Sequence, residues 1–132
     1  MSKKTILIAV LIIFIGSVFG HSLIGKNRAN FVISVTNQSR YKPNVKLKVY
    51  IDGKLMISNN FKVKDSHTVI DYYYSLSKGN HKISVVSDKN TMTEGNIDIK
   101  EEKEYAFISY FHSDNSSPKI HLKVSNIRFG ID

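Results

Sequence analysis

Val45-Lys46-Leu47-Lys48-Val49-Tyr50-Ile51-Asp52-Gly53-Lys54-Leu55 is the stretch on which the fold turns. Val45, Leu47 and Val49 alternate with Lys46, Lys48 and Tyr50, and a period of two marks extended chain with one face buried. Asp52-Gly53 then interrupts the pattern, and Asp-Gly between alternating runs is a strong hairpin signal. Two registers compete. A two-residue loop pairs Ile51 with Lys54 and puts a lysine on the inward side. A three-residue loop of Ile51, Asp52 and Gly53 pairs Tyr50 with Lys54, gives Gly53 the left-handed position of a bulge, and sets Val49 against Leu55. The second keeps every inward position apolar and is the register expected here.

The same alternation extends in both directions. Phe31, Ile33 and Val35 precede it; Leu55 with Ile57, Phe61 with Val63, Ile83 with Val85, Ile97 with Ile99, and Ile120, Leu122 and Val124 follow. The segment from Thr68 to Leu76 is β-branched and aromatic, and Tyr105 to Phe111 is almost wholly apolar, as a central strand would be. Turn residues separate these runs at Tyr41-Lys42-Pro43-Asn44, Lys78-Gly79-Asn80, Asp88-Lys89-Asn90 and Glu94-Gly95-Asn96, and Pro118 fits the start of a strand. The C-terminal Ile127-Arg128-Phe129-Gly130-Ile131-Asp132 still alternates and reads as a last strand closing the sheet. The expected fold is all-β: a small antiparallel sandwich, immunoglobulin-like or transthyretin-like, of about seven to nine strands.

A hydrophobic helix is expected ahead of this domain. Lys3 and Lys4 precede an apolar run from Ile6 to Phe19, the n-region and h-region of a secretory signal. Val18-Phe19-Gly20 before His21 is an acceptable cleavage site. The stretch from Ile6 to Ile24 would reach roughly 28 Å as a helix, so an uncleaved membrane anchor is the alternative. Residues 1–20 are thus leader or anchor, 21–29 a linker, and 30–132 the sandwich. Either way the domain is placed outside the cytoplasm: secreted, periplasmic or at the cell surface, with membrane contact through the N-terminal segment if it stays.

Composition narrows function by exclusion. The chain has 132 residues and no cysteine, so neither a disulfide scaffold nor a cysteine-based zinc site is open to it. Its formal net charge is +8, of which Lys3 and Lys4 belong to the leader. The remaining positive balance favours anionic surfaces or polymers. Nucleic acid is a poor partner for an exported chain with no arginine cluster.

Val49-Tyr50-Ile51-Asp52-Gly53-Lys54-Leu55, followed by Leu76-Ser77-Lys78-Gly79-Asn80-His81-Lys82-Ile83-Ser84-Val85, resembles PEGA-type and related transthyretin-like or Ig-like extracellular β-modules. The shared features are a Y-[IV]-D-G-K hairpin and an L-x-x-G-x-H-x-I-x-V strand start. The resemblance implies a non-catalytic surface or envelope module and supplies no catalytic residue.

Candidate chemistry is sparse. His112-Ser113-Asp114 and His121 offer too few convergent ligands for a metal, and His21, His67 and His81 add no spacing motif. No G-x-S-x-G elbow exists. Glu101-Glu102-Lys103-Glu104 reads as an exposed turn rather than a hydrolytic carboxylate pair. No cofactor and no enzyme activity are expected. Two binding surfaces stand out. Tyr73 beside Asp71, with Tyr50, can stack on and hydrogen-bond a sugar, although an aromatic strand also fills space. Lys46, Lys48, Lys62 and Lys64 fall on outward positions of two nearby strands and suit an anionic envelope polymer, although lysines also guard strand edges. The expectation is an exported non-catalytic module for binding or structural assembly at a cell envelope. Its partner would be an envelope protein, a glycan or an anionic polymer.

Overall fold

The computed structural model describes residues 25–40, 44–63 and 68–130, and every regular element in them is a strand. The leader, residues 41–43, Lys64, His67 and the last two residues lie outside that description. Eight strands follow one another: β1 (Phe31–Asn37), β2 (Asn44–Ile51), β3 (Lys54–Lys62), β4 (Val69–Tyr74), β5 (Gly79–Ser87), β6 (Met92–Ile99), β7 (Glu104–Phe111) and β8 (Lys119–Ser125). They form two four-stranded sheets, a first in the order β4-β1-β7-β8 and a second in the order β3-β2-β5-β6.

The alternation read from sequence becomes the sandwich interior. Phe31, Ile33, Val35, Ala106, Ile108 and Tyr110 from the first sheet meet Val45, Leu47, Val49, Ile83, Val85, Ile97 and Ile99 from the second in one buried cluster. Burying each large aliphatic or aromatic side chain contributes about 1.5–3 kcal/mol, enough to hold a domain of this size without disulfides.

The antiparallel expectation needs one correction: β1 and β7 run parallel, from Phe31↔Glu104 to Asn37↔Tyr110. Parallel pairs occur where both faces of the sheet are covered. β1 meets that condition. Beyond its inward residues, Val32 and Thr36 on the opposite side are only 3% and 2% exposed. The register sets Tyr73 and Tyr105 on either side of Val32.

The decisive hairpin also differs from expectation. Ile51 pairs with Lys54, so the loop has two residues, and Asp52 (φ 50°) and Gly53 (φ 78°) both take positive φ. That is the turn whose twist matches the flanking strands. The bulge lies further on: Tyr50 pairs with Leu55 but Val49 with Ile57, leaving Met56 as the extra residue. Leu55 therefore turns outward and is 48% exposed. Ile57 regains the interior.

Glu94-Gly95-Asn96 is not a turn but the middle of β6, with Gly95 opposite Ile83. A Cβ on Gly95 would lie 3.0 Å from Leu122 Cδ2 on β8. The missing side chain admits Leu122 where the edges of the two sheets approach. The C-terminal segment makes no strand through Gly130. It folds instead across the outside of the first sheet. Arg128 Nη2 donates to Asp71 Oδ2 at 3.1 Å, and the Phe129 ring sits 5.7 Å from that of Phe107.

Asn30 fastens the start of the domain. Its side chain donates to the Leu76 carbonyl at 2.8 Å and accepts from the Leu76 N–H at 2.9 Å. Its backbone bonds to Tyr74 and Glu104. Gly25 thus leads the chain in at the end of the sandwich that also carries the Asp52-Gly53 turn.

Candidate functional site

The outer face of the second sheet gathers four of the residues singled out in the sequence. Strict alternation along β2 turns Lys46, Lys48 and Tyr50 outward while Val45, Leu47, Val49 and Ile51 are buried. Lys46 stands opposite Asn60 on β3, which places Lys62 one diagonal step away. Such spacings are about 7 Å, within reach of flexible ammonium groups. Among the described residues none of these three lysines makes an ion pair. Lys46 and Lys48 border a shallow depression of about 210 Å³ with Val86, Ser87 and Asp88. Asp88 is engaged locally: its Oδ1 accepts from the Lys46 N–H at 3.3 Å, and Lys89 Nζ lies 3.7 Å from Oδ2. Farther along the face the charges are paired, Lys82 with Glu94 at 3.1 Å and Lys100 with Asp98 at 3.2 Å. The free positive charge is therefore concentrated on the β2–β3 side.

The outer face of the first sheet holds Asp71 and Tyr73. The consecutive tyrosines of β4 project to alternate sides of the sheet. Tyr74 is in the core and Tyr72 packs against it, whereas Tyr73 points to the other side with Asp71. Burial pushes the Tyr74 hydroxyl up to about 12. The Asp71 carboxylate, however, is occupied. Ser34 Oγ donates to Oδ1 at 2.6 Å, while the Tyr73 hydroxyl at 3.3 Å and Arg128 at 3.1 Å share Oδ2. Desolvation, followed by the neighbouring Asp71 charge, raises the Tyr73 hydroxyl above its ordinary value. Tyr50 belongs to the opposite side of the sandwich, so the structure does not bring it to Tyr73 and Asp71. It stands instead in line with Lys46 and Lys48.

A third feature escaped the sequence reading. At the end of the sandwich where Gly25 enters, the β2–β3 hairpin and the β4–β5 connection enclose a cleft of about 420 Å³. One wall is an ion pair. His81 Nδ1 lies 2.6 Å from Asp52 Oδ2, and His81 Nε2 lies 2.7 Å from the Ser77 carbonyl oxygen. A carbonyl and a carboxylate can only accept, so both ring nitrogens must donate and the imidazole is held as its cation. The Ser77 carbonyl raises the His81 pKa most, and Asp52 adds to it against the opposing cost of burial. The Lys82 N–H, 2.9 Å from Asp52 Oδ1, and then His81 draw the Asp52 carboxyl below its usual range. The available signal was the co-occurrence of Asp-Gly and Gly-x-His in the two quoted segments, but alternation alone gives no reason to join them.

Among the described residues no three His, Asp or Glu side chains converge as a metal would need. The fold and these surfaces define a β-sandwich with a lysine face, a clamped aromatic face and an end cleft. No known protein family, curated protein or solved structure matches the chain.

Proposed function

We propose that this chain is an exported, non-catalytic β-sandwich module. It engages an anionic polymer of the cell envelope through the outer face of its second sheet. The observation that carries the reading is the placement of Lys46 and Lys48 on β2. β2 is an inner strand, hydrogen-bonded on both sides by β3 and β5. Edge protection, which explains lysines on exposed strand borders, has no purpose there. Lys62 on β3 extends the same patch, and Tyr50 adds an aromatic surface beside Lys48. Unpaired cations on a flat face attract polyanions at long range and lose that attraction as salt rises. The immunoglobulin-like or transthyretin-like kinship, and the PEGA-type resemblance with it, belong to this proposal.

The carbohydrate reading is the weaker one. Its carboxylate, Asp71, already bonds to Ser34, Tyr73 and Arg128.

Retention on immobilised polyglutamate, with neutral dextran as control, tests the proposal. The chain should bind the polyanion alone, and retention should fall steeply between about 0.05 and about 0.5 M salt. Reversing Lys46 and Lys48 to glutamate should weaken it about tenfold. Salt-independent retention, or retention indifferent to those reversals, overturns the reading.

A further inference from the structure

The end cleft plays no part in the lysine face. Its floor is apolar, formed by Ile51, Met56, Tyr74 and Leu76. Its volume falls within the roughly 300–1,000 Å³ of ordinary ligand pockets. Two irregularities of the hairpin build it. The two-residue turn pairs Lys54 with Ile51, which puts a lysine on the inward side of β3. The bulge at Met56 then turns a flexible thioether toward the same space. Bulges are found where a strand must re-aim a side chain at a site. An inward lysine at a sandwich opening contributes nothing to the core, and alternation would favour an apolar residue there.

The polar rim is electrically asymmetric. His81 and Asp52 neutralise one another. Lys54 makes no ion pair among the described residues, so a single uncompensated positive charge stands over an apolar floor.

From the cleft's shape and charge we infer that it binds a small amphiphile with an apolar body and an anionic head. The body lies along Met56, Tyr74 and Leu76, and the head meets the Lys54 ammonium. A single-chain carboxylate is the simplest member of that class. The charge disfavours a cationic amphiphile, and the apolar floor gives a small hydrophilic anion little to bind. The inference is independent of the polyanion face, because Lys54 and Lys48 leave the second sheet on opposite sides.

The test uses the full chain as it accumulates, with methyl labels on isoleucine, leucine and methionine. Three ligands share one tail: dodecanoate, dodecanol and dodecylammonium, each kept monomeric. Dodecanoate should bind saturably and shift the methyl resonances of Ile51, Met56 and Leu76, and dodecylammonium should bind most weakly. Lys54→Glu, at an exposed position, should weaken dodecanoate about fivefold to tenfold and leave dodecanol unchanged. Met56→Ser should weaken dodecanoate and dodecanol alike. A second arm offers the same protein vesicles of phosphatidylglycerol. Shifts at the same methyls that Lys54→Glu suppresses assign the head group to a membrane lipid. Their absence beside dodecanoate binding assigns it to a free amphiphile. Equal affinity for the three head groups, resonance shifts that avoid the cleft, or indifference of dodecanoate binding to Lys54→Glu overturns the inference.

Discussion

His81 shows how one residue couples a loop to the fold's response to pH. Its imidazole side chain is only 10% exposed and is pinned between the Ser77 carbonyl and Asp52. Both contacts favour the protonated ring, so the folded pKa lies above the ordinary 6.5. The stability this adds is complete below 6.5, where the ring is charged even in the unfolded chain, and is lost as pH rises through the raised folded value. Asp52 behaves oppositely. Its folded pKa lies below 3.8, so its contribution is complete above 3.8 and is lost as pH falls through the depressed value. The latch is therefore strongest between the two ordinary values and weakens on the alkaline side. Urea unfolding of the wild type and His81→Phe should differ most near pH 5–6 and converge toward pH 9, as the linkage requires. A difference that stays constant over that range would show that His81 acts by packing alone.

At the scale of elements the hairpin decides how much could be read in advance. The existence of β2, β3 and the reversal between them was legible, because alternation and Asp-Gly are local signals. The loop length was not. Keeping all inward positions apolar favours a bulge at Gly53. The chain instead takes the tighter turn and repairs parity at Met56. The deciding contacts are distant in sequence: Asp52 binds the Lys82 N–H and the His81 ring only from within the two-residue turn. The same limit hid the cleft, whose walls come from two segments separate in sequence, Ile51 to Met56 and Tyr74 to His81. It also hid the role of Gly95, which reads as a turn residue until Leu122 is seen against it. Lys46 and Lys48 were placed correctly because parity along β2 needs no tertiary information. Tyr50 obeyed that parity too, but its grouping with Tyr73 required knowing which sheet each strand joins. Gly53 carries the prediction at this scale. No atom lies within 4 Å of an added Cβ, so the penalty for replacing it arises from φ of 78° alone. Gly53→Val should cost about 1–3 kcal/mol in chemical denaturation, and Gly53→Asn well under half of that, because asparagine tolerates the left-handed region. Equal losses for the two variants would place the cost elsewhere.

For the whole molecule, the question is how two sheets with four edge strands stay closed. On one side β3 and β4 are tied by the Tyr74 hydroxyl to the Met56 carbonyl at 3.1 Å and by Asn59 to Tyr72 at 3.3 Å. On the other, Leu122 of β8 fills the space left by Gly95 of β6. The outside of the first sheet needs separate cover, since β1 is buried on both faces and an aromatic ring, Phe107, projects outward beside it. The C-terminal segment provides this cover. It leaves β8 and, from two adjacent residues, sends the Arg128 side chain to Asp71 of β4 and sets Phe129 against Phe107 and under the Lys123 ammonium, 5.1 Å from the ring centre. Spanning from β8 to β4 crosses the full width of the sheet, roughly 14 Å at ordinary strand spacing. Such a strap joins the two edge strands through side chains without closing the hydrogen-bond ladder. Its ion pair is 62% exposed at Arg128, so most of its contribution comes from the apolar contact. Truncation after Asn126 should cost about 1–3 kcal/mol in urea unfolding. Arg128→Ala should cost under about 1 kcal/mol and Phe129→Ala the larger share. Amide exchange on β4 should also quicken in the truncated chain while β2 and β5 stay protected. Unchanged exchange along β4 would mean that the segment rests on the sheet without holding it.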